Sequence, residues 1–500
     1  MAKQGKKIKN LSFSTDRSVL CIESRDSSNH IEVSDEIFTA EEAINGSGYL
    51  GVFQAKLIVF TGFIWMARGV DEVLVSFIGP LLSCDWKLER WQAAVIVTGS
   101  QLSSALGCIL YGIWSDRYGR RAALSSTLIF FFVFGAVSSG LPSYTWYVIF
   151  RMVCAFAAGG LPQALVLVSE FTPGGKRGRA VFILSVFWAV GIIGMIALLY
   201  SASEPPQNWR TFVAISSLPA CITMLLMKFF PESIRYLLIS NQDTAANVIM
   251  EEMVEENKQN LPNGVLESAI DWKKRGRFGY LFRRSLLKST LLFCFIGLGT
   301  AVSYSGLIIM SPAIMNEEIE QLNITNSERN FLGNVHTVVE CLPNVTSTEF
   351  IEIMWTSALD FPGIFVYMIL VDVINRKIFL GVSSAICSLF IFLQYIPTPD
   401  ILVKTAFLYC SRALLIPQFD LILLMSSEAY PTTHRGCIVG LCVSTFYIGF
   451  FLSPYIYQAI GRQECLLGFY GCITLLCGIA GAFLPLETRG LELMEIPKEK

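Results

Sequence analysis

The sequence has few charged residues and very few histidines. Only 16% of its 500 residues are charged and 53% are hydrophobic, whereas soluble proteins average about 25% charged residues. The three histidines are His30, His336 and His434, and none lies in an apolar run. The 14 cysteines include no C-x-x-C pair, the spacing typical of zinc sites. This composition indicates a polytopic membrane protein and offers no candidate metal site.

The absence of several other sequence features excludes further classes of function. The net charge is −2, so the basic surface typical of a nucleic-acid-binding protein is not indicated. The sequence has no G-x-x-x-x-G-K-[ST] loop, which would cradle nucleotide phosphates. No pairing of a nucleophile with a base is apparent. We therefore predict that the protein is not an enzyme, has no cofactor or metal, and does not bind nucleic acid.

Long apolar runs occupy most of the chain. A run of about 20 apolar residues can span a bilayer as a helix. The runs lie at roughly 57–82, 92–114, 122–141, 145–170, 180–202, 211–230, 287–314, 351–371, 377–396, 401–427, 435–458 and 464–485. The pattern predicts an all-α polytopic membrane protein with 12 transmembrane helices, six on each side of a charged middle segment.

Two short motifs occur twice. D-R-Y-G-R-R at 116–121 returns as D-V-I-N-R-K at 372–377, an offset of 256 residues (372 minus 116). E-x-x-P-x-x-x-R-G at 170–178 returns at 428–436, an offset of 258 residues (428 minus 170). Because two motifs repeat in the same order at similar offsets, the chain is predicted to be a duplicated unit.

The distribution of lysine and arginine predicts the orientation, since cytosolic loops are enriched in both. Basic residues concentrate in the connections at 117–121, 176–179, 273–277, 376–377 and 435. Both termini are therefore predicted to be cytosolic, and the loop 315–350, with sequons at Asn323 and Asn344, to be lumenal and glycosylated. The predicted domains are a cytosolic tail (1–50), a six-helix bundle (51–232), a cytosolic linker (233–285), a second six-helix bundle (286–487) and a cytosolic tail (488–500).

The repeated motifs predict a latch at the cytosolic face. Gly112 lies one helical turn before Asp116, which lets a neighbouring helix approach closely. Asp116 can accept hydrogen bonds from a helix N-terminus or from an arginine. The candidate gating residues are Gly112, Asp116, Arg120, Arg121, Glu170, Arg177, Asp372, Arg376, Glu428 and Arg435. In the second copy Met368 and Asn375 replace the glycines, so we expect a weaker latch there.

Ionisable residues in the first run are candidates for binding or coupling, because a charge inside a membrane costs about 2.5–3.5 kcal/mol. Asp71 and Glu72 follow Arg68 at spacings of three and four residues, so both acids lie on its face of the helix. The cluster is either a cation- or proton-responsive site or an internally compensated ion pair. Arg151, in the fourth run, could bind an anion or neutralise one of these acids.

Other candidates lie in later runs. Pro417 in the tenth run removes a backbone donor and frees a carbonyl close to Asp420. This indicates either a binding or gating element or a kink with a structural acid. Trp188 and Tyr304 could stack on a solute ring or cation or could simply pack. The residues predicted to line or control a central cavity are Arg68, Asp71, Glu72, Arg151, Trp188, Tyr304 and Asp420.

The glycine-preceded D-R-x-G-R-R turn, the six-plus-six layout and the paired E-x-x-P-x-x-x-R-G motifs resemble those of the major facilitator superfamily over about 57–490. G-V-F-Q-A-K-L at 51–57, G-G-L-P-Q at 159–163 and D-F-P-G at 360–363 are similar to the branch related to synaptic vesicle glycoprotein 2. The resemblance implies two pseudo-symmetric six-helix bundles in a vesicle or plasma membrane.

The resulting hypothesis is secondary active or facilitative transport of a small organic solute by alternating access. An organic ion is one candidate solute and H+ is a candidate coupling ion. The alternative hypothesis is a transporter-like vesicle membrane protein that acts as a regulator or receptor with little transport. In either case we expect a monomer that functions in the lipid bilayer.

Overall fold

The computed structural model describes residues 37–46, 50–201, 209–259, 265–266, 275–322, 354, 357–358, 360–396, 401–491 and 493. The predicted glycosylation sites Asn323 and Asn344 lie outside these residues.

Helices form nearly all of the described chain, as predicted. They are α1 (Ala40–Gly46), α2 (Val52–Trp86), α3 (Arg90–Tyr118), α4 (Arg120–Ser138), α5 (Tyr144–Ala158), α6 (Gln163–Phe171), α7 (Arg177–Ser201), α8 (Trp209–Ser216), α9 (Leu218–Leu226), α10 (Ile234–Ile239), α11 (Asp243–Glu256), α12 (Arg284–Leu322), α13 (Asp360–Leu370), α14 (Arg376–Leu393), α15 (Ile401–Ala429), α16 (Arg435–Ile460) and α17 (Gln463–Ala482). Two strands of two residues each, β1 (Ile37–Phe38) and β2 (Val265–Leu266), pair in parallel.

Ten helical segments in the described ranges are long and apolar enough to cross a membrane. They are Trp91–Tyr118, Arg120–Ser138, Tyr144–Phe171, Gly174–Tyr200, Trp209–Phe229, Arg284–Ser311, Arg376–Leu393, Val403–Ala429, Arg435–Ile460 and Gln463–Ala482. The 35-residue helix α2 and the shorter apolar helix α13 occupy the first and eighth predicted runs. Together these give the predicted total of twelve.

Glycine and proline divide two of the predicted runs. The fourth run is α5 followed by α6, with Gly159, Gly160 and Pro162 in the turn between them. The sixth run is α8 followed by α9, and Pro219 stands in the first turn of α9, where the missing N–H costs no helical hydrogen bond. The helices α2–α9 form the first half of the molecule, and α12–α17 form the second.

The two halves meet closely where α3 crosses α16. A Cβ atom added at Gly112 would lie only 2.5 Å from the carbonyl oxygen of Gly436. The two backbones touch there because neither glycine has a side chain. A looser contact joins α7 to α13, where the rings of Phe182 and Tyr367 are 5.8 Å apart. We call the end of the bundles that carries residues 116–121 and 372–377 the latch end.

The predicted N-terminal tail is ordered in part, at residues 37–46. This segment forms β1 and α1, and Ala43, Ile44 and Glu41 of α1 are all buried. The linker is also structured in part, because Lys56 of α2 forms an ion pair with Glu256 of α11 at 2.7 Å. Short helices therefore pack against the latch end from outside the bundles.

Candidate functional site

Asp116, near the end of α3, caps the first turn of α16. Its Oδ1 accepts a hydrogen bond from the backbone N–H of Gly436 at 2.9 Å, and its Oδ2 accepts one from Cys437 at 2.8 Å. The Nη2 atom of Arg120 lies 3.4 Å from Oδ1. The carboxylate therefore meets both the positive end of a helix dipole and an arginine, and it joins the first half to the second.

Asp372 makes the matching contact in the opposite direction. Its two oxygens accept hydrogen bonds from the backbone N–H groups of Gly178 at 3.2 Å and Arg179 at 3.1 Å, at the start of α7. Arg376 lies 3.6 Å from this carboxylate. Each half thus supplies an aspartate that caps a helix of the other half.

Glu170 lies between two arginines that come from different halves. Its Oε1 is 3.0 Å from Arg120 Nη2 and 2.8 Å from Arg435 Nη1. All three side chains are at most 1% exposed. Because water cannot screen such buried charges, separating the halves at this point removes a strong contact.

Glu428 makes the corresponding pairs in the second half. It is 3.2 Å from Arg177 of the first half and also forms an ion pair with Arg376 of its own half. Each E-x-x-P-x-x-x-R-G motif therefore gives its glutamate to the arginine of the other copy. The structure thus brings nine of the ten candidate gating residues into contacts at the latch end.

Arg121 is the candidate that does not join this network. Its side chain is exposed, and its Nη2 donates to the carbonyl oxygen of Lys228 at 3.2 Å. Arg120 and Arg121 are consecutive residues at the start of α4, and successive side chains of a helix point about 100° apart, so the two leave the helix in different directions.

Glu232 and Glu487 cap the helices that follow the two turns, although sequence reasoning assigned them no role. The N–H of Arg120, at the start of α4, donates to Glu232 at 2.8 Å, and the N–H of Arg376, at the start of α14, donates to Glu487 at 3.0 Å. Burial raises the pKa of the Glu232 carboxyl above its usual value, although the backbone N–H groups of Ser233, Arg120 and Arg121 act to lower it. Their offset of 255 residues (487 minus 232) is the signal that could have identified them.

Glu41 of α1 was also missed. It forms ion pairs with Arg177, at 3.2 Å, and with Arg235, and it is only 5% exposed. The sequence signal that could have revealed α1 is a capping box formed by Thr39 and Glu42. The N–H of Thr39 donates to the Glu42 carboxylate at 2.8 Å, and the N–H of Glu42 donates to Thr39 Oγ1 at 3.2 Å.

The charged cluster of α2 includes residues from two other helices. Arg68 Nη1 lies 3.3 Å from Asp71 Oδ2, and the other oxygen of Asp71 forms an ion pair with Arg151 of α5. Of the two roles considered for Arg151, the structure therefore has the one that neutralises an acid. The guanidinium of Arg68 also lies 4.9 Å from the centre of the Tyr447 ring, which brings it to the second half.

A cavity of about 50 Å³ lies between the two halves. Four of the predicted residues line it: Arg68, Glu72, Trp188 and Asp420. Asp71 and Arg151 do not line it, and they lie behind Arg68 instead. The wall is otherwise rich in aromatic rings, which come from Trp65, Trp188, Phe419, Phe446 and Tyr447.

The two acids of the cavity have neutral hydrogen-bond donors. Ser185 Oγ of the first half donates to Asp420 Oδ2 of the second at 2.6 Å, and Trp188 Nε1 donates to Glu72 Oε2 at 3.4 Å. No arginine or lysine of the described ranges forms an ion pair with Asp420. The helix α15 continues unbroken through Pro417.

Tyr304 is not brought to this cavity. Its hydroxyl donates to Asp360 Oδ2 at 3.3 Å, and Arg412 lies 5.8 Å from the centre of its ring. These three residues form a separate polar cluster within the second half. No group of three or more His, Cys, Asp or Glu side chains suitable for a metal occurs in the part of the chain that the structure describes.

Comparison with known proteins identifies the family. The model of the family described as "Sugar (and other) transporter" matches residues 47–499. Synaptic vesicle 2-related protein of Xenopus laevis is 30% identical over 465 residues, which cover 92% of this chain and 83% of that protein. Organic cation/carnitine transporter 7 of Arabidopsis thaliana is 26% identical and covers 92% of this chain and 96% of its own.

A solved structure has the same fold. The proton:xylose symporter XylE of the major facilitator superfamily, bound to 6-bromo-6-deoxy-D-glucose, superposes with a TM-score of 0.65 at 17% identity. The match covers 88% of this chain and 98% of that chain. Proteins of this family are transporters and not enzymes, as predicted. The chain is therefore a multi-pass membrane protein with the major facilitator fold, and it belongs to the "Sugar (and other) transporter" family.

Proposed function

We propose that this protein carries a small organic cation across the membrane by alternating access, through the central cavity, which would widen from its present volume of about 50 Å³ as the two halves move apart. The observation that carries the proposal is the acidic, aromatic cavity that lies between halves joined by ion pairs at the latch end. Opening those ion pairs would connect the cavity to the latch side, which we assign to the cytosol.

The charges around the cavity favour a cation. The cavity and the residues next to it contain two arginines, Arg68 and Arg151, and three acids, which are Asp71, Glu72 and Asp420. The sum is one net negative charge. Asp71 pairs with both arginines and Arg68 also acts on Glu72, whereas Asp420 has only the Ser185 hydroxyl as a partner among the described residues. A bound cation would supply the missing charge, since isolated charges are costly in a low-dielectric site.

The aromatic wall adds a second preference for a cation. Rings within about 6 Å of a cation attract it through their negative faces, and five aromatic side chains line this small cavity. A relative of this chain is named an organic cation/carnitine transporter, which agrees with the proposed solute class.

Asp420 is the proposed site of coupling to H+. Its carboxylate bridges the halves through Ser185, so its protonation state can influence whether they separate. Protonation would also remove a buried charge that lacks an ion-pair partner among the described residues. A structural neighbour is named a proton:xylose symporter, which is consistent with coupling of this kind.

Uptake into proteoliposomes tests this proposal. Radiolabelled choline, tetraethylammonium and carnitine should be taken up in preference to a hexose or a dicarboxylate. Glu72→Gln should lower cation uptake ~10- to 100-fold, as expected when a partner of a charged group is removed. Asp420→Asn should retain solute exchange but lose the dependence of uptake on pH.

Glu251→Gln, on the exposed face of α11, is the matched control and should leave uptake unchanged. Preferential hexose uptake, or equal cation uptake by Glu72→Gln and the control, would reject the cation assignment. No uptake of any solute, together with specific co-purifying proteins, would favour a regulator or receptor instead.

A further inference from the structure

A second cavity, of about 410 Å³, opens on the outer surface of the first half. We call it the α3–α5 groove, and its main lining residues are Tyr111, Trp114, Arg117, Tyr118, Phe130 and Phe156. Trp114 is 43% exposed and Tyr118 is 65% exposed, so the groove faces the bilayer and not the central cavity. Its volume falls within the range of ligand pockets, about 300–1,000 Å³.

The floor of the groove is a ladder of aromatic rings. Tyr111, Trp114 and Tyr118 follow one another at spacings of three and four residues, which places them on one face of α3. Their ring centres are 6.0 Å and 6.1 Å apart, and Phe156 of α5 closes one side at 5.9 Å from Tyr111. This surface is apolar and suits a hydrocarbon chain.

The latch end of the groove is positively charged. Arg117 is exposed, and no ion pair joins it to an acid of the described residues. The backbone next to Arg275 approaches it: a Cβ atom added at Gly276 would be 2.7 Å from Arg117 Cγ. The Nη1 atom of Arg275 is buried without a hydrogen-bond acceptor in the described ranges.

Tyr236 connects the two arginines. Its hydroxyl donates to the carbonyl oxygen of Arg117 at 3.1 Å, and Arg275 lies 5.6 Å from the centre of its ring. The nearby acid Glu232 does not neutralise this charge fully, because its oxygens accept hydrogen bonds from the backbone of the α4 N-terminus. Arg117 therefore forms a basic rim beside the aromatic floor, and Arg275 adds a second positive charge next to Tyr236.

The position of the rim matches the depth of lipid headgroups. The membrane-spanning segment of α3 ends at Tyr118, directly after Arg117, and tryptophan and tyrosine are typical of the membrane–water interface. The aromatic ladder then runs from this interface toward the centre of the bilayer. A ligand that fits both parts has an anionic head and a long apolar tail.

We propose that the α3–α5 groove binds an anionic phospholipid, with its phosphate at Arg117 and an acyl chain along Tyr111, Trp114 and Tyr118. Anionic lipids are concentrated in the cytosolic leaflet and attract basic residues at its surface. The predicted cytosolic orientation of the latch end places the groove in that leaflet. This site is separate from the transport cavity and does not depend on the identity of the solute.

Native mass spectrometry of the purified full-length protein, titrated with phosphatidylserine or with phosphatidylcholine, tests the proposal. Phosphatidylserine should bind more tightly than phosphatidylcholine. Arg117→Gln should weaken phosphatidylserine binding about fivefold, the effect expected for one basic residue near an anionic lipid, and Arg117→Lys should restore most of it. Leu110→Trp, at a groove residue that is 53% exposed, should fill the groove and also weaken binding.

Arg284→Gln is the matched control, because Arg284 is exposed at the start of α12 and does not line the groove. It should bind phosphatidylserine as the unchanged protein does. Thermal melting of each variant verifies folding. Equal loss in Arg117→Gln and the control, or equal binding of the two lipids, would overturn the proposal. Binding of inorganic phosphate that Leu110→Trp does not alter would show a free anion site instead of a lipid site.

Discussion

His434 is a buried histidine at the latch end, in the turn between α15 and α16. Its ring stacks on Tyr280 with the ring centres 4.2 Å apart, and its Nδ1 lies 2.7 Å from Thr433 Oγ1. The Nε2 atom is buried and has no hydrogen-bond partner among the described residues. Burial lowers the pKa of His434 to about 4, so the ring is neutral near pH 7.

This histidine predicts a pH dependence of stability. The unfolded chain binds a proton at His434 near pH 6.5, whereas the folded protein does so only near pH 4. Its contribution is therefore complete above about pH 6.5 and is lost as the pH falls toward 4. The melting temperature of the purified protein should fall more steeply over that interval than that of His434→Gln. Parallel curves for the two proteins would contradict the assignment.

Individual residues show which side-chain contacts could be predicted from the sequence and which could not. The two kinds of partner suggested for Asp116 are both present, because the motif places its carboxylate opposite helix ends. The different directions of Arg120 and Arg121 were not predictable, because they depend on the rotation of α4 about its axis. The pairing of Asp71 with Arg151 depends on where α5 lies relative to α2, which spacing within one helix cannot reveal.

At the scale of elements, the two helix pairs α3–α16 and α7–α13 each join the halves through an aspartate that caps a helix, but their geometries differ. Gly119 separates α3 from α4 with a φ of 104°, a left-handed conformation that favours glycine. Asn375 occupies the corresponding place before α14 with a φ of −58°, so that turn needs no glycine. The hydrogen bonds to Asp116, at 2.9 and 2.8 Å, are also shorter than those to Asp372, at 3.2 and 3.1 Å.

We therefore expect Asp116→Asn to impair gating more than Asp372→Asn. A charge-assisted hydrogen bond contributes about 1.5–3 kcal/mol, and the tighter α3–α16 contact should lose the larger share. Asp116→Asn should slow uptake ~10-fold and Asp372→Asn only ~2- to 3-fold, within the range that these energies allow. Initial uptake rates and spin-label distances across the latch end measure the difference. Equal effects would count against the asymmetry.

The positions of the membrane helices followed from the sequence because lipid offers no hydrogen-bond partners to an unfolded backbone. Long apolar runs therefore become helices. Segments outside the membrane were less predictable. The short helix α1 is polar by composition and resembled a solvated tail, and it is held by the burial of Glu41 against Arg177 and Arg235, which is a tertiary effect.

At the scale of the whole molecule, Glu41 connects segments that lie outside both bundles. Arg177, one of its partners, also donates to the carbonyl oxygen of Leu491 at 3.5 Å. Arg235, the other partner, donates to that of Leu493 at 3.3 Å. The N-terminal segment, the linker and the residues after α17 thus meet at one buried cluster, next to the ion pairs of the latch.

Glu41→Gln should destabilise this cluster, because it removes a carboxylate shared by two buried arginines. Loss of one partner from a buried ion pair costs about 3–5 kcal/mol. The variant should melt at a lower temperature and show a larger open population at the latch end in spin-label distance measurements. Glu251→Gln, which changes an exposed acid of α11, should behave as the unchanged protein does. If Glu41→Gln matches that control, the segment has no part in closing the latch.

The crossed contacts of the latch bear on how the molecule arose. The ion pairs that link the halves join Glu170 to Arg435 and Glu428 to Arg177, and the two aspartate caps cross in the same way. Each half carries both partners of these contacts but joins them only to the other half. Two separate six-helix subunits of this kind, assembled as a twofold-symmetric homodimer, would therefore form the same closed latch. Met368 and Asn375 are positions at which the two halves depart from this symmetry.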